Sequence, residues 1–265
     1  IFIYGEKESG VNLHKHIKDH YDICKKQHII TVGNFYNQQN RDYIEHNEHG
    51  GSYAHFWKPF GSTWTLGIKN FDPNKDVYRK HVDADRAGCL YMASHMIVGR
   101  EQLWDYIAEK VPDCHFGGRL NGRKKHGKKL ETRPVKKIGW LGNIEIFKNY
   151  RVAFSPDNTI NNNGYITEKV FISLMAGCVP IYFGYNNLSD IIDPACYIHA
   201  RNIKSTRHPD NLEGFVDIPD IISEATKCIK NKKHYMNTIN RPFITPEASG
   251  SFFGWLDIVK YINRL

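Results

Sequence analysis

A short segment, Gly164–Lys169, combines residue types that bind anions and nucleotides. Thr167 is a favoured N-cap residue, so we predict that a helix begins directly after it. The first turn of such a helix presents unpaired N–H groups and a positive dipole end, to which Lys169 adds a charge. Glu168 has the carboxylate with which nucleotide-binding folds hold sugar hydroxyls. An exposed Glu–Lys pair without a ligand fits the same residues, and the segment alone leaves both interpretations open.

Alternating strand and helix patterns surround this segment. Runs of apolar and β-branched residues predict strands at Cys89–Ser94, Arg151–Phe154 and Val179–Phe183. Apolar residues at helical spacing predict helices over 101–110, from Thr167 to Gly177 and around 221–229. Strands that alternate with helices of about ten residues favour an α/β fold with a parallel sheet. Ligands of such sheets bind where the strands end and the loops begin.

The chain is long enough for two domains. It has 265 residues, and a single domain usually takes about 100–150. A proline and paired glycines between Pro112 and Gly118 are typical of a connection between domains. We therefore predict an N-terminal domain over residues 1–112 and a C-terminal domain over residues 113–265.

The whole net charge of +8 comes from one short segment of the chain. Nine lysines and arginines lie between Arg119 and Lys137, opposed only by Glu131, and the remainder of the chain carries 27 residues of each sign. The basic stretch fits three interpretations: a solvated loop, a contact with nucleotide phosphates through its first arginines, or a site for RNA or an anionic surface. Aromatic side chains that would stack on bases are nearly absent from it, which weakens the nucleic-acid interpretation.

Composition and cysteine spacing exclude several classes of protein. With 41% hydrophobic and 24% charged residues, the chain has a globular composition. The longest apolar stretch, Val170–Tyr185, includes Gly177 and Pro180 and falls short of the roughly 20 residues that span a bilayer. The six cysteines show no C-x-x-C pair, so we expect buried apolar side chains, with a Cys89–Cys114 bridge as the alternative in an oxidising compartment.

No metal site is predicted from the sequence. Asp83 and Asp85 have the Asp-x-Asp spacing that holds a metal-bound nucleotide in some transferases, but no apolar strand precedes them. His14, His16 and His20 have helical spacing without a nearby cluster of carboxylates or cysteines. The two aspartates are therefore interpreted as part of a solvated turn, and the three histidines are not expected to form a metal site.

Three stretches of the second half resemble, in order and spacing, the signature of the α-1,3-fucosyltransferases. They are Tyr150–Asn158, Tyr165–Lys169 and Ala176–Gly184. Further parts of the chain that resemble the same family are Cys89–Ser94, Arg100, Asp113–Gly118 and Asp193–Ile198. The likeness covers most of residues 89–243, and its specific part is the Thr-Glu-Lys block.

The resemblance implies a GT-B-type glycosyltransferase, in which two Rossmann-like halves face a cleft. The N-terminal half would bind the acceptor and the C-terminal half the nucleotide sugar. In the family, further sheet precedes the position of Ile1, so we expect the first half to be incomplete. A membrane anchor would also lie in that preceding region. The implied compartment is the Golgi lumen for a full-length eukaryotic member and the cytoplasm for a bacterial or viral one.

The resemblance also implies site residues. Tyr4-Gly5-Glu6 stands where the family has Thr-Gly-Glu, so Glu6 becomes the candidate general base, with Glu8 as its rival. An inverting transfer needs such a carboxylate on the acceptor side. The candidates for binding the donor nucleotide are Ser94, Arg100, Arg119, Arg123, Asn158, Tyr165, Glu168 and Lys169.

We therefore expect an inverting transfer of fucose from GDP-fucose to a hydroxyl of a glycan or glycoconjugate, with no obligatory cofactor and a divalent cation at most stimulatory. The sequence departs from the family pattern where Ser155-Pro156 replaces a glutamate and an asparagine, and His95 replaces an asparagine. These departures leave open a related transferase that uses another nucleotide sugar. A basic nucleic-acid-binding protein on a degenerate transferase fold is the remaining alternative.

Overall fold

The computed structural model describes the chain in segments. These are residues 2–5, 28–33, 43–46, 52–57, 86–93, 98–118, 127–130, 142–158, 166–203, 212–245, 260 and 262–264. The N-terminal segments form a four-stranded sheet of β1 (Phe2–Gly5), β2 (His28–Gly33), β3 (Tyr43–His46) and β4 (Ser52–Trp57). The strand order is β1-β2-β4-β3, with β3 antiparallel to β4 and the other pairs parallel.

A second sheet contains six strands, all parallel. They are β5 (Ala87–Ala93), β6 (Cys114–Gly118), β7 (Lys128–Lys129), β8 (Tyr150–Pro156), β9 (Val179–Phe183) and β10 (Ile198–His199). The spatial order is β10-β9-β8-β5-β6-β7. Strands β6 and β7 follow β5 on one side of it, and β8, β9 and β10 follow one another on the other side. This is the doubly wound order of nucleotide-binding sheets, and its reversal point lies between β5 and β8. The predicted α/β fold with a parallel sheet is confirmed.

Five α-helices accompany the second sheet in the described part of the chain. They are α1 (Val98–Lys110), α2 (Ile144–Phe147), α3 (Glu168–Met175), α4 (Ile218–Lys230) and α5 (Lys232–Ile239). Short 3-10 helices occupy Leu188–Asp190 and Pro194–Cys196. Among the described residues, no helix has the length and apolarity needed to cross a membrane.

Helices pack on both faces of the six-stranded sheet. Side chains alternate between faces along a strand, and β5 accordingly sends Leu90 into one core cluster and Tyr91 into the other. Helices α2 and α3 contribute to the first cluster, and helices α1, α4 and α5 to the second. Every residue of β9 is buried, as expected for a strand that is covered on both faces.

The sheet crosses the predicted domain boundary at residue 112. Strand β5 and helix α1 precede that boundary, yet β5 pairs with both β6 and β8. The expectation that Pro112–Gly118 connects two domains is wrong, because Cys114–Gly118 is strand β6 inside the sheet. Its glycines allow close packing: a Cβ on Gly117 would lie 2.6 Å from the Met92 sulfur. A boundary between residues 1–112 and 113–265 is therefore misplaced, and only the division of the chain into two domains stays a prediction.

The five described cysteines are buried and free, as expected of apolar side chains. They are Cys89, Cys114, Cys178, Cys196 and Cys228. Cys89 and Cys114 are register partners on β5 and β6, and both are free thiols in the structure. Burial, together with the neighbouring Cys114, raises the pKa of the Cys89 thiol well above its ordinary value.

Candidate functional site

The candidate site lies at the carboxyl ends of β5 and β8, where the strand order reverses. Helix α1 follows β5, and its first turn carries Arg100, whose side chain is only 2% exposed. Asn158 follows the end of β8. The Arg100 Nη1 donates a hydrogen bond of 2.9 Å to Asn158 Oδ1. This contact joins the two sides of the reversal point, which is where doubly wound sheets bind nucleotides.

Asp157 organises the loop that follows β8. The side chain is fully buried, and its backbone N–H donates to Phe183 O on β9 at 2.7 Å. Its Oδ1 accepts from the Thr167 backbone N–H at 3.2 Å and also from the Thr167 hydroxyl. Its Oδ2 accepts from the Tyr182 hydroxyl at 2.6 Å. One carboxylate therefore ties β8 to the start of α3 and to β9.

Burial raises the pKa of Asp157 from 3.8 to about 6. Desolvation is the largest cause, because the charged form loses its water. The Lys169 charge and the hydrogen bonds from Thr167 and Tyr182 oppose this rise, and the Glu168 charge adds to it. Burial and the adjacent Asp157 also raise the pKa of Tyr182, so this phenol stays protonated and donates.

Close packing surrounds the Tyr182 hydroxyl. That hydroxyl accepts from the Tyr185 backbone N–H at 2.8 Å while it donates to Asp157. Gly184 lies beside the pair, and a Cβ added there would lie 2.4 Å from Tyr182 Oη and 2.6 Å from Asp157 Oδ2. Only glycine leaves room for this hydrogen-bonded pair.

Helix α3 presents its first turn at the same edge of the sheet. Thr167 is its N-cap, as predicted, and the Thr167 hydroxyl accepts from Lys169 N at 3.5 Å. The Lys169 Nζ lies 3.4 Å from Glu168 Oε1 and 3.3 Å from Thr167 Oγ1. Glu168 is only 3% exposed, whereas Lys169 is 23% exposed. The alternative of an exposed surface Glu–Lys pair is therefore wrong, because the glutamate is buried.

Ser155, one of the residues that depart from the fucosyltransferase pattern, has a packing role. The Ser155 Oγ lies 2.6 Å from Ser173 Oγ, and both side chains are buried between β8 and α3. The Ser173 hydroxyl also donates to Lys169 O at 3.0 Å. Ser155 therefore points at the helix and helps to position its first turn.

The structure brings together four of the predicted site residues. Arg100 and Asn158 are hydrogen-bonded, and Glu168 and Lys169 connect to Asn158 through Thr167 and Asp157. The remaining predictions, which are Glu6, Ser94, Arg119, Arg123 and Tyr165, lie outside the described residues, as do Glu8, Asp83, Asp85, His14, His16, His20 and His95.

Only a small part of the basic stretch is described. Lys128 and Lys129 form β7 at the edge of the sheet and are exposed. The Lys128 Nζ lies 4.0 Å from Asp113 Oδ1. These two lysines are exposed, as the solvated-loop interpretation expects, but they lie on a strand and not in a loop.

Sequence comparisons point to one family. Residues 124–212 match the family model "Glycosyltransferase family 10 (fucosyltransferase) C-term". An Alpha-(1,4)-fucosyltransferase from Arabidopsis thaliana is 27% identical in an alignment of 122 residues, and the match covers 43% of this chain and 30% of that protein. A "Putative fucosyltransferase-like protein" from the same plant is 25% identical in an alignment of 118 residues, and the match covers 34% of this chain and 23% of that protein.

Over residues 124–212 the chain is similar to fucosyltransferases. This confirms the resemblance that the Thr-Glu-Lys block predicted. The matched stretches span less than a third of the two plant proteins. The fucosyltransferase match at residues 124–212 includes β8, α3 and β9, which carry Asp157, Glu168 and Lys169.

Solved fucosyltransferase structures share the fold of this chain. The crystal structure of an α1,3-fucosyltransferase with GDP-fucose has a TM-score of 0.58 at 14% identity, covering 99% of this chain and 73% of that one. A second α1,3-fucosyltransferase structure has a TM-score of 0.56 at 14% identity, covering 99% and 89% of the two chains. At these identities the likeness shows a common architecture.

Sequence reasoning missed Asp157 and Tyr182. Both residues lie in stretches that resemble the family, but neither was assigned a role of its own. The available signal was an aspartate directly after a buried strand, at the edge where ligands of such sheets bind. Its partner Tyr182 lies 25 residues further along the chain, so no local spacing could reveal the pair.

Proposed function

We propose that this chain transfers fucose from GDP-fucose to a hydroxyl of a glycan acceptor, with inversion at the sugar. The observation that carries the proposal is the connected set of charged and polar groups at the reversal point of the sheet, from Arg100 through Asn158 and Asp157 to Lys169. The likeness to fucosyltransferases at residues 124–212 supports the choice of donor.

On the donor side, cations would meet the diphosphate. Lys169 stands in the first turn of α3, where free N–H groups and the helix dipole also favour an anion. Arg100 adds a guanidinium whose side chain is held by Asn158. Negative charge grows on the leaving diphosphate as its bond to the sugar breaks, so fixed cations stabilise the transition state more than the ground state.

Glu168 would bind the ribose of the nucleotide. A buried carboxylate needs hydrogen-bond donors, and two neighbouring sugar hydroxyls supply them. The ion pair with Lys169 orients the glutamate. The same pairing holds Lys169 near the position of the phosphates.

On the acceptor side, Glu6 is proposed as the general base. It directly follows β1 in the sequence. In an inverting transfer the acceptor hydroxyl attacks the anomeric carbon from the face opposite the leaving diphosphate and gives its proton to the base. Replacing Glu6 by Gln removes the proton acceptor, so we expect sugar transfer to fall at least about a hundredfold while GDP binding persists.

A melting assay with nucleotides tests the donor assignment. GDP should raise the melting temperature more than UDP at equal concentration, because only binding to the folded state stabilises it. Glu168→Gln and Lys169→Ala should each weaken GDP binding by about tenfold or more. The matched controls are Glu109→Gln and Lys110→Ala, since Lys110 Nζ and Glu109 Oε1 also lie 3.4 Å apart, but on the exposed end of α1.

The outcomes of the melting assay decide which nucleotide the site binds. GDP binding that survives both α3 variants would remove the donor assignment. Stronger stabilisation by UDP would replace GDP-fucose by another nucleotide sugar and keep the transferase. Transfer of radiolabelled fucose, with the anomeric configuration of the product read by NMR, tests the reaction itself.

A further inference from the structure

Helices α4 and α5 form a tight hairpin outside the candidate donor site. A single residue, Asn231, separates the two helices, and its side chain caps α5 by accepting from His234 N at 3.0 Å. This cap fixes the position of His234 in the first turn of α5. The imidazole then packs back against α4, where its Nε2 forms a short hydrogen bond with Glu224 Oε1.

Three metal-ligating side chains converge in this hairpin. Glu224 and Cys228 lie one turn apart on α4 and so share a face of the helix. Together with His234 they place one ligand atom each, a carboxylate oxygen, a thiol sulfur and an imidazole nitrogen, within 4.8 Å of one another. Within the described residues, this is the one group of three such side chains with that spacing.

The types of ligand select the type of metal. Thiolate and imidazole ligands suit zinc, cobalt and their neighbours, whereas magnesium and calcium require oxygen ligands. A tetrahedral zinc ion takes sulfur at about 2.3 Å and nitrogen at about 2.0 Å, so ligands within a few ångströms of one another need only small side-chain rotations to reach one ion. Three protein ligands leave a fourth position for water.

We propose that Glu224, Cys228 and His234 bind a divalent transition metal of the zinc class and that this metal fastens α4 to α5. The site shares no residue with the donor site, so the proposal stands independently of the proposed function. Binding replaces the hydrogen bond between His234 and Glu224 by two metal bonds and releases the thiol proton of Cys228 to solvent.

The burial of Cys228 and the charges near it affect the release of its thiol proton. The side chain is 1% exposed, and burial, followed by the neighbouring Glu224, raises the thiol pKa to about 12. The Lys227 charge opposes this rise, and its Nζ lies 3.6 Å from Glu224 Oε2. A thiolate ligand must lose its proton to bind a metal, so the affinity of the site should increase with pH.

Cobalt(II) is the probe for the test, because a thiolate ligand gives its complex a charge-transfer band in the near ultraviolet. Chelator-treated protein should develop this band with one cobalt per chain, and zinc should abolish it by competition. Cys228→Ser should remove the band, and His234→Gln should weaken cobalt binding at least about tenfold. Zinc should also raise the melting temperature of the unaltered chain and not of Cys228→Ser.

Cys178→Ser is the matched control. Cys178 is another buried thiol, but it donates to the carbonyl oxygens of Phe147 at 3.1 Å and Tyr150 at 3.3 Å, which a serine hydroxyl can also do. This variant should keep the cobalt band. Absence of the band in the unaltered chain, or its persistence in Cys228→Ser, overturns the proposal and leaves a hydrogen-bonded hairpin only. If Cys228→Ser does not fold, the His234→Gln titration decides alone, since His234 is partly exposed.

Discussion

Asp157 shows how one buried carboxylate can position several site residues. Its two oxygens accept from Thr167 and Tyr182, which stand on different elements, and its backbone N–H bonds to β9. Both side-chain partners donate to the carboxylate, so the site is built for an oxygen-only acceptor. Asn158, the next residue, is thereby held where Arg100 reaches it. Asp157 therefore acts on the candidate donor site through its neighbours.

The raised pKa of Asp157 predicts a pH-dependent stability. Its pKa in the folded chain is about 6, against an ordinary value of 3.8. The folded state thus holds this proton more tightly than the unfolded state, a contribution that is fully present below pH 3.8 and lost as the pH rises through about 6. Two pKa units correspond to about 3 kcal/mol. Asp157→Asn cannot titrate, so the stability of the unaltered chain relative to this variant should fall by about that amount between pH 3.5 and 7.

Urea unfolding across this pH range measures the difference. Glu109→Gln serves as the control, because Glu109 is exposed. Its Oε1 lies 3.4 Å from the Nζ of Lys110, and this ion pair is on the surface. That variant should track the unaltered chain at every pH, within about 0.5 kcal/mol. A constant difference between the unaltered chain and Asp157→Asn from pH 3.5 to 7 would show that Asp157 ionises normally.

At the scale of the element, both local and distant contacts stabilise the first turn of helix α3. The Thr167 hydroxyl caps the helix and also donates to Asp157, so one oxygen serves the helix and the sheet. The buried pair of Ser155 and Ser173 holds the helix one turn further along. The position of Lys169 in the site therefore depends on groups from β8 as well as on the helix itself.

Removing this hydroxyl should affect stability and nucleotide binding together. Thr167→Ala loses an N-cap worth about 1 kcal/mol and leaves a buried carboxylate oxygen short of a donor, at about 1–3 kcal/mol. We expect a loss of about 2–4 kcal/mol in the free energy of unfolding and weaker GDP binding. Thr167→Ser keeps the hydroxyl and should recover most of both.

Asn231→Ala provides the comparison for the Thr167 variants. Asn231 caps α5 in the same way, through its side-chain oxygen, but belongs to the helical hairpin. This variant should cost about 1 kcal/mol in urea unfolding without added metal and should bind GDP as the unaltered chain does. Equal loss of GDP affinity in both N-cap variants would mean that general destabilisation, and not the position of α3, governs binding.

The elements themselves were largely predictable from the sequence. Strand β9 and helix α3 follow from apolar runs, the N-cap Thr167 and Gly177, whose φ of +75° ends the helix. These signals are local. Helix α1 begins three residues before its predicted start, and β6 was interpreted as a connection because its two glycines resemble a turn. In that strand, the glycines serve close packing against β5.

At the scale of the whole molecule, the order of the strands in the sheet could not be predicted from the sequence. Alternation predicts a parallel sheet, but it does not tell which strands become neighbours, since pairings such as β5 with β8 join residues about 60 positions apart. The candidate site depends on this order, because only the reversal between β5 and β8 brings Arg100 to Asn158. The Thr-Glu-Lys block located one side of the site, and the resemblance alone supplied the other.

The doubly wound order predicts where bound GDP should slow amide hydrogen exchange. Apart from Lys169 N, which donates to the N-cap hydroxyl of Thr167, the first-turn N–H groups of α3 have no carbonyl partner within the helix. They should exchange faster in the free protein than when a bound phosphate accepts from them. Peptides covering Asp157–Asn158 and the first turn of α3 should become protected by GDP, together with the start of α1. Peptides from the α4–α5 hairpin should not change, since the connected set from Arg100 to Lys169 includes no residue of the hairpin.

Exchange measured by mass spectrometry with GDP, UDP and no nucleotide makes this prediction specific. Lys169→Ala removes one phosphate ligand but keeps the helix, so protection of α3 should decrease at a fixed GDP concentration and recover at a higher one. Protection confined to the four-stranded N-terminal sheet would place the nucleotide on the wrong half of the chain. Because the exchange of each peptide is read separately, this outcome is distinguishable from simple loss of binding, in which no peptide would be protected at any concentration.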